Sequence, residues 1–179
     1  MKNPVIAVGM MCLMAGTVAA SDGHEEAVPK AQLFAGYSLA RESGTNAHGW
    51  ASSLNFNVSR WLALGVETSG HYEKDHGASI TKNSYLFGPR LSKRGGKIVP
   101  FVYALAGIER TKGKVEFDDV SISAAENETA VALGGGLDIE LSPRWALAFE
   151  IDDLLVRSEG STHGTLRFSA GIVLNIGER

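Results

Sequence analysis

In the stretch Trp50-Ala51-Ser52-Ser53-Leu54-Asn55-Phe56-Asn57-Val58, large apolar side chains keep to one parity. Trp50, Leu54, Phe56 and Val58 share it, whereas Ala51, Ser53, Asn55 and Asn57 hold the other. A period of two is the period of a strand, so one face of this segment meets an apolar medium and the other a polar one. The same alternation recurs in later segments. Beyond the N-terminus, the longest apolar candidate, Val99 to Ile108, already contains Pro100 and Gly107 and falls short of the roughly 18 residues of a spanning helix. If such a chain enters a bilayer, it must do so as a closed barrel, which leaves no unpaired backbone edge in lipid.

Residues 1–20 have the three-part layout of a secretory signal peptide: a short start with Lys2, an apolar run from Val5 to about Ala15, and the small residues Val18-Ala19-Ala20. The run is too short for a stable span, and Gly16 with the small residues after it suits a peptidase better than an uncleaved anchor. Cys12, the one cysteine, lies inside this leader, so the mature chain is expected to have neither disulfides nor thiolate chemistry. Lys and Arg number 17 against 20 Asp and Glu, and loss of the leader removes one more cation, which leaves nothing basic enough for nucleic acid. Residues 21–30 are polar and aperiodic and read as a flexible periplasmic tail; residues 31–179 read as one domain.

Eight strands can be counted in that domain. The first, about 31–40, sets Leu33, Ala35, Tyr37 and Leu39 against Gln32, Gly36 and Ser38, with Phe34 breaking the pattern. The second is 49–58. The third, about 62–72, sets Leu62, Leu64, Val66 and Tyr72 against Ala63, Gly65, Glu67, Ser69 and His71. The fourth, about 83–93, sets Tyr85, Phe87, Pro89 and Leu91 against Ser84, Gly88, Arg90 and Ser92, and Pro89 requires a bulge or a non-donating position. In the fifth, about 98–110, both parities are apolar and the faces stay unassigned. The sixth, about 128–141, alternates Thr129, Val131, Leu133, Leu137, Ile139 and Leu141 with Ala130, Ala132, Gly134, Gly136, Asp138 and Glu140. The seventh sets Trp145, Leu147, Phe149 and Ile151 against Ala146, Ala148, Glu150 and Asp152; the eighth, about 165–176, sets Leu166, Phe168, Ile172 and Leu174 against Arg167, Ser169 and Gly171.

Three connections are short (59–61, 93–97, 142–144) and four are longer and polar (41–48, 73–82, 111–127, 157–164), in strict alternation. This is the order required of an all-β, eight-stranded antiparallel transmembrane β-barrel of up-and-down topology with both termini in the periplasm. Trp61, Trp145 and Tyr37 near strand ends suit the headgroup level. A soluble barrel or lipocalin would place large apolar side chains inside and charge outside. Here the small residues share a parity with the charged ones, as Gly65 does with Glu67 and Ala148 with Glu150, which suits a narrow polar lumen and an apolar outer wall.

The segments Leu33-Phe34-Ala35-Gly36-Tyr37-Ser38, Leu86-Phe87-Gly88-Pro89-Arg90, Val99-Pro100-Phe101-Val102 and Ala132-Leu133-Gly134-Gly135-Gly136-Leu137-Asp138 carry a resemblance to a known group. The chain resembles the small outer-membrane β-barrel, or porin-family, proteins of Gram-negative bacteria, related in fold to the membrane domain of outer membrane protein A. The resemblance spans essentially residues 31–177. It implies a monomer exported to the bacterial outer membrane, surrounded by outer-membrane lipid and lipopolysaccharide and inserted by the barrel assembly machinery. Members of the group usually end in an aromatic residue, whereas this chain ends Asn175-Ile176-Gly177-Glu178-Arg179.

Seven charges fall on the inferred inner parity: Glu67, Arg90, Asp138, Glu140, Glu150, Asp152 and Arg167. Unpaired charge in a narrow barrel is costly, so the expected arrangement is a network of carboxylates paired with arginines that plugs the lumen. The expected function is therefore structural or surface-interacting and non-enzymatic, without a cofactor or metal. A narrow small-solute pore is one alternative. A lipid-modifying enzyme is another, with Ser69 and His71, or Ser161, His163 and Glu159, as its raw material. The ligand-rich stretch His71-Tyr72-Glu73-Lys74-Asp75-His76 has no recognisable metal spacing. Gly134-Gly135-Gly136 opens a strand instead of a helix and suits close packing better than phosphate. The longest connection, 111–127, carries Glu116, Asp118, Asp119 and Glu126, which makes it the best candidate to contact an extracellular ligand of unknown identity.

Overall fold

The computed structural model describes residues 28–178 except 43, 76, 77, 118, 119, 159 and 160; for 73–75, 78, 79, 114–117, 120–125 and 178 it describes the backbone alone. The leader and residues 21–27 lie outside the described residues. Eight antiparallel strands close into a barrel in sequence order: β1 (Pro29–Glu42), β2 (Thr45–Asn57), β3 (Leu62–Asp75), β4 (Ala78–Ser92), β5 (Ile98–Phe117), β6 (Val120–Glu140), β7 (Trp145–Ser158) and β8 (Ser161–Glu178). β1 starts at Pro29, two positions before the expected edge of the domain. The ring closes where β1 pairs with β8, from Pro29 opposite Glu178 to Arg41 opposite Leu166.

The alternation decides which side of the wall each residue meets. Leu54, Phe56, Leu64, Val66, Phe87, Leu133, Leu137, Phe149, Phe168 and Ile172 point outward, while Asn55, Asn57, Glu67, Arg90, Asp138, Asp152 and Arg167 are buried inside. This is the reverse of a soluble barrel and suits an apolar solvent around the wall. At one end the short turns are tied by serines. Ser59 Oγ accepts from Leu62 N–H at 3.1 Å, and Ser142 Oγ accepts from Trp145 N–H at 3.2 Å. Pro89 needs no bulge: β4 keeps one register against β5 on both sides of it, and the ladder simply lapses at Gly88 and Pro89, where the imide has no hydrogen to donate.

Three sequence expectations change. The fifth strand does have a definite facing: Val99, Phe101, Tyr103, Leu105 and Glu109 point inward, and Val102 and Ile108 outward. The bulk fits because opposite Phe101, Tyr103 and Leu105 β6 offers only glycines and an alanine methyl. Gly134, Gly136, Ala130 and Ala132 face the lumen, and a Cβ on Gly136 would lie 2.7 Å from Phe101 Cζ. Phe34 does not break its strand. It lies on the inner parity of β1, buried among Ala51, Ala146, Ala148 and Val173.

The longer connections are also not loops. β5 and β6 pair continuously up to Phe117 opposite Val120, and the other three hairpins likewise end in two-residue connections. Beyond the lipid both faces of a strand meet water, so the strand persists while its apolar parity disappears. Gly44 sits in the first of these tight connections at φ 93°, a conformation that residues with a Cβ rarely adopt.

Candidate functional site

The lumen is built in layers, starting from the end that carries the short turns. There Arg94 Nη2 donates to Gln32 Oε1 at 2.7 Å and to Asn57 Oδ1 at 3.2 Å, and Gln32 Nε2 donates to Asn175 Oδ1 at 3.0 Å. This closes the floor with side chains from β1, β2, β8 and the turn after β4. None of these four was singled out as a functional residue from the sequence. The signal available was three amide side chains at matching depth on the inner parity.

Next comes Arg90 on β4. Its Nη2 donates to Asp138 Oδ2, its Nη1 lies 4.0 Å from Glu150 Oε1, and its guanidinium carbon stands 3.5 Å above the centroid of the Phe101 ring. An arginine stacked on an aromatic face while binding carboxylates gains from the ring quadrupole as well as from the ion pair.

One layer further on, Arg167 on β8 spans the barrel. Its Nε donates to Asp152 Oδ1 at 2.7 Å, Nη2 to Glu67 Oε1 at 2.8 Å, and Nη1 to Ser69 Oγ at 3.0 Å. The Tyr103 hydroxyl donates to Asp152 Oδ2 at 2.8 Å, and the Ser69 and Ser84 hydroxyls meet at 2.6 Å. β3, β4, β5, β7 and β8 are thus tied to one guanidinium, which is only 2% exposed. Between the Arg90 and Arg167 layers, the space bounded by Ser53, Asn55, Gly65, Tyr103 and Leu105 measures about 10 Å³. A single water needs roughly 10–15 Å³ on the same measure, so this gap is no wider than one molecule.

Of the seven inner charges predicted, six meet in these two clusters: Arg90 with Asp138 and Glu150, and Arg167 with Glu67 and Asp152, with Glu150 at the outer limit of ion-pair distance. Glu140 lies at the end of β6, where its backbone N–H donates to Lys97 C=O at 2.7 Å. Tyr103, Ser84 and Phe101 join the clusters without having been expected there, because the facing of β5 could not be read.

Ser69 is bonded to Ser84 and Arg167, while His71 Nε2 meets Ser38 Oγ at 3.0 Å, so the two are not joined as nucleophile and base. Ser161 and His163 are exposed on β8, and Glu159 lies outside the described residues. Among the described residues no group of three His, Cys, Asp or Glu could hold a metal ion. Of the acidic residues at the tip of the third hairpin, Glu126 is exposed on β6, Glu116 is placed by its backbone alone on β5, and Asp118 and Asp119 lie outside the described residues.

On the outer wall, aromatic rings gather near the hairpin end. Tyr37 pairs with Trp50 across β1 and β2, its hydroxyl meets His48 Nδ1, and Trp50 Nε1 donates to the Tyr72 hydroxyl at 3.4 Å. Exposed Trp61 and Trp145 stand at the opposite end, so amphipathic rings flank the apolar band on both sides.

Known proteins agree with this architecture. The sequence model of the outer membrane protein beta-barrel domain matches residues 8–175. Neisserial surface protein A has a TM-score of 0.61 at 13% identity, covering 82% of this chain and 96% of its own. Ail, the attachment invasion locus protein of Yersinia pestis, has a TM-score of 0.58 at 18% identity, covering 82% and 99%. The N-terminal β-barrel domain of Pseudomonas aeruginosa OprF has a TM-score of 0.56 at 13% identity, covering 83% and 98%. At such identities the likeness is one of fold. No curated protein matches the sequence.

Proposed function

The chain belongs to the outer membrane protein beta-barrel domain family, and from that premise we propose that it is a sealed, non-enzymatic barrel that holds its four hairpins at the cell surface. Its place is the bacterial outer membrane. The observation that carries the proposal is the pair of arginine layers, Arg90 with Asp138 and Arg167 with Glu67 and Asp152, stacked with about 10 Å³ between them. An eight-stranded barrel is only just wide enough for its own side chains to fill, and here those side chains are bonded to one another. Dissociating either layer would strand buried charges without their partners.

Planar-bilayer recording of the purified barrel tests the seal. No discrete channel openings are expected at physiological salt. Stable unitary currents from the unmodified protein would instead establish a pore. Against enzymatic activity stands the separation of Ser69 from His71 by their different partners. Cells that overproduce the protein are expected to show unchanged lipid A and phospholipid profiles by mass spectrometry. A new deacylated or acylated species, absent with an empty vector, would restore the enzyme reading.

A further inference from the structure

Above the Arg167 layer, on the hairpin side, the lumen widens into a cavity of about 280 Å³. Its walls include Ala40, Ala47, Ile80 and Leu154; Arg167 and His71 form its floor; Lys82, Glu42, Glu109 and the hydroxyl-bearing Thr45 and Thr165 complete it. All these residues lie on the inner parity of their strands. The cations around it are already engaged. Lys82 Nζ is 2.5 Å from Glu42 Oε2, and the Arg167 nitrogens are taken by Asp152, Ser69 and Glu67.

Glu109 is different. It is only 6% exposed, yet it makes no hydrogen bond or ion pair with any described residue, and Lys82 acts on it only at longer range. A carboxylate that lines a cavity without a partner is an acceptor left for a ligand to use. β5 brings it there because Glu109 pairs across Ser84 and Glu128 just past Ile108, at the upper edge of the apolar outer wall.

We propose that this cavity binds a small primary ammonium ion carrying a short alkyl chain, with Glu109 as its counter-ion. The ammonium donates to the Glu109 carboxylate, a charge-assisted hydrogen bond. The alkyl chain lies against Ala40, Ala47, Ile80 and Leu154. At about 280 Å³ the cavity is at the lower end of small-molecule pockets and takes an amine of a few carbons. An anion of the same shape would meet the carboxylates of Glu42 and Glu109 on these walls, and a divalent metal finds too few ligands among the described residues.

The test is a titration of the barrel, folded in zwitterionic micelles, with n-butylammonium chloride, followed by amide NMR shifts. Saturable shifts clustered at Ala40, Ala47, Leu154 and Thr165 are expected. Glu109→Gln should weaken binding by at least about tenfold, because the amide oxygen still accepts from the ammonium but no longer carries the opposite charge. Glu126→Gln, exposed on β6, should leave binding unchanged. Butyrate should produce no saturable shifts at these positions. Ala47→Leu fills the cavity without altering charge and should abolish binding, which keeps the proposal testable if Glu109→Gln does not fold. Absence of butylammonium binding, equal binding by Glu109→Gln, retained binding by Ala47→Leu, or equal binding of butyrate would each overturn it.

Discussion

Arg167→Ala is expected to lower the unfolding free energy of the barrel by about 3–5 kcal/mol, the range for breaking a buried ion pair from one side. The guanidinium compensates Glu67 and Asp152 at once, so its removal leaves two buried carboxylates facing each other across the lumen. The hydroxyls of Ser69 and Ser84 cannot neutralise them. A chain carrying Arg167→Met, Glu67→Gln and Asp152→Asn should recover most of the loss, because the cost lies in stranded charge and not in missing attraction. Urea titration of the folded barrel in micelles, read by tryptophan fluorescence, measures both. A loss below about 1 kcal/mol for Arg167→Ala, the level of an exposed pair, would mean that water reaches this layer freely.

Phe34→Ala should cost about as much, roughly 3–5 kcal/mol, by a different route. The ring fills a socket whose walls are Ala51, Ala146, Ala148 and Val173, and three of these four are alanines with no length to collapse into the space. The unfolded reference in urea is hydrated, so burial of the ring counts fully even though the site is inside a membrane protein. Phe34→Leu, which keeps most of the volume, should cost under about 1.5 kcal/mol. The same titration reads both, and equal costs for the two variants would show that the socket is not filled by the ring.

These two residues also mark the limits of legibility in the sequence. The membrane wall was readable because lipid imposes one sign on every outward position, and Leu54, Phe56, Leu133, Phe149 and Ile172 all obey it. The lumen imposes no such rule. It accepts Arg167 on β8, Phe34 on β1 and Tyr103 on β5, wherever neighbouring strands leave room. Phe34 therefore departs from the alternation in the sequence, and the facing of β5 depends on Gly134 and Gly136, which lie opposite Tyr103 and Phe101 on the neighbouring strand. The hairpin arms were hidden for the complementary reason: past the lipid neither face is constrained, and 111–117 and 120–127 read as loop while their backbones continue the ladder. Inner charges could be assigned to a face by parity, but not to partners, since pairing depends on depth and reach across the lumen.

The seam between β1 and β8 has a consequence in time. The first strand of the barrel finds its second neighbour only in the last one, from Pro29 opposite Glu178 to Arg41 opposite Leu166. Arg167, which ties five strands together, arrives on that same final segment. Neither the ring nor its central clasp can exist until β8 has joined the seven strands before it, and such distant pairings are slow to form. Throughout export the free edge of β1 is therefore a strand without a mate, and whatever escorts the chain to the membrane must keep that edge from pairing with a stranger.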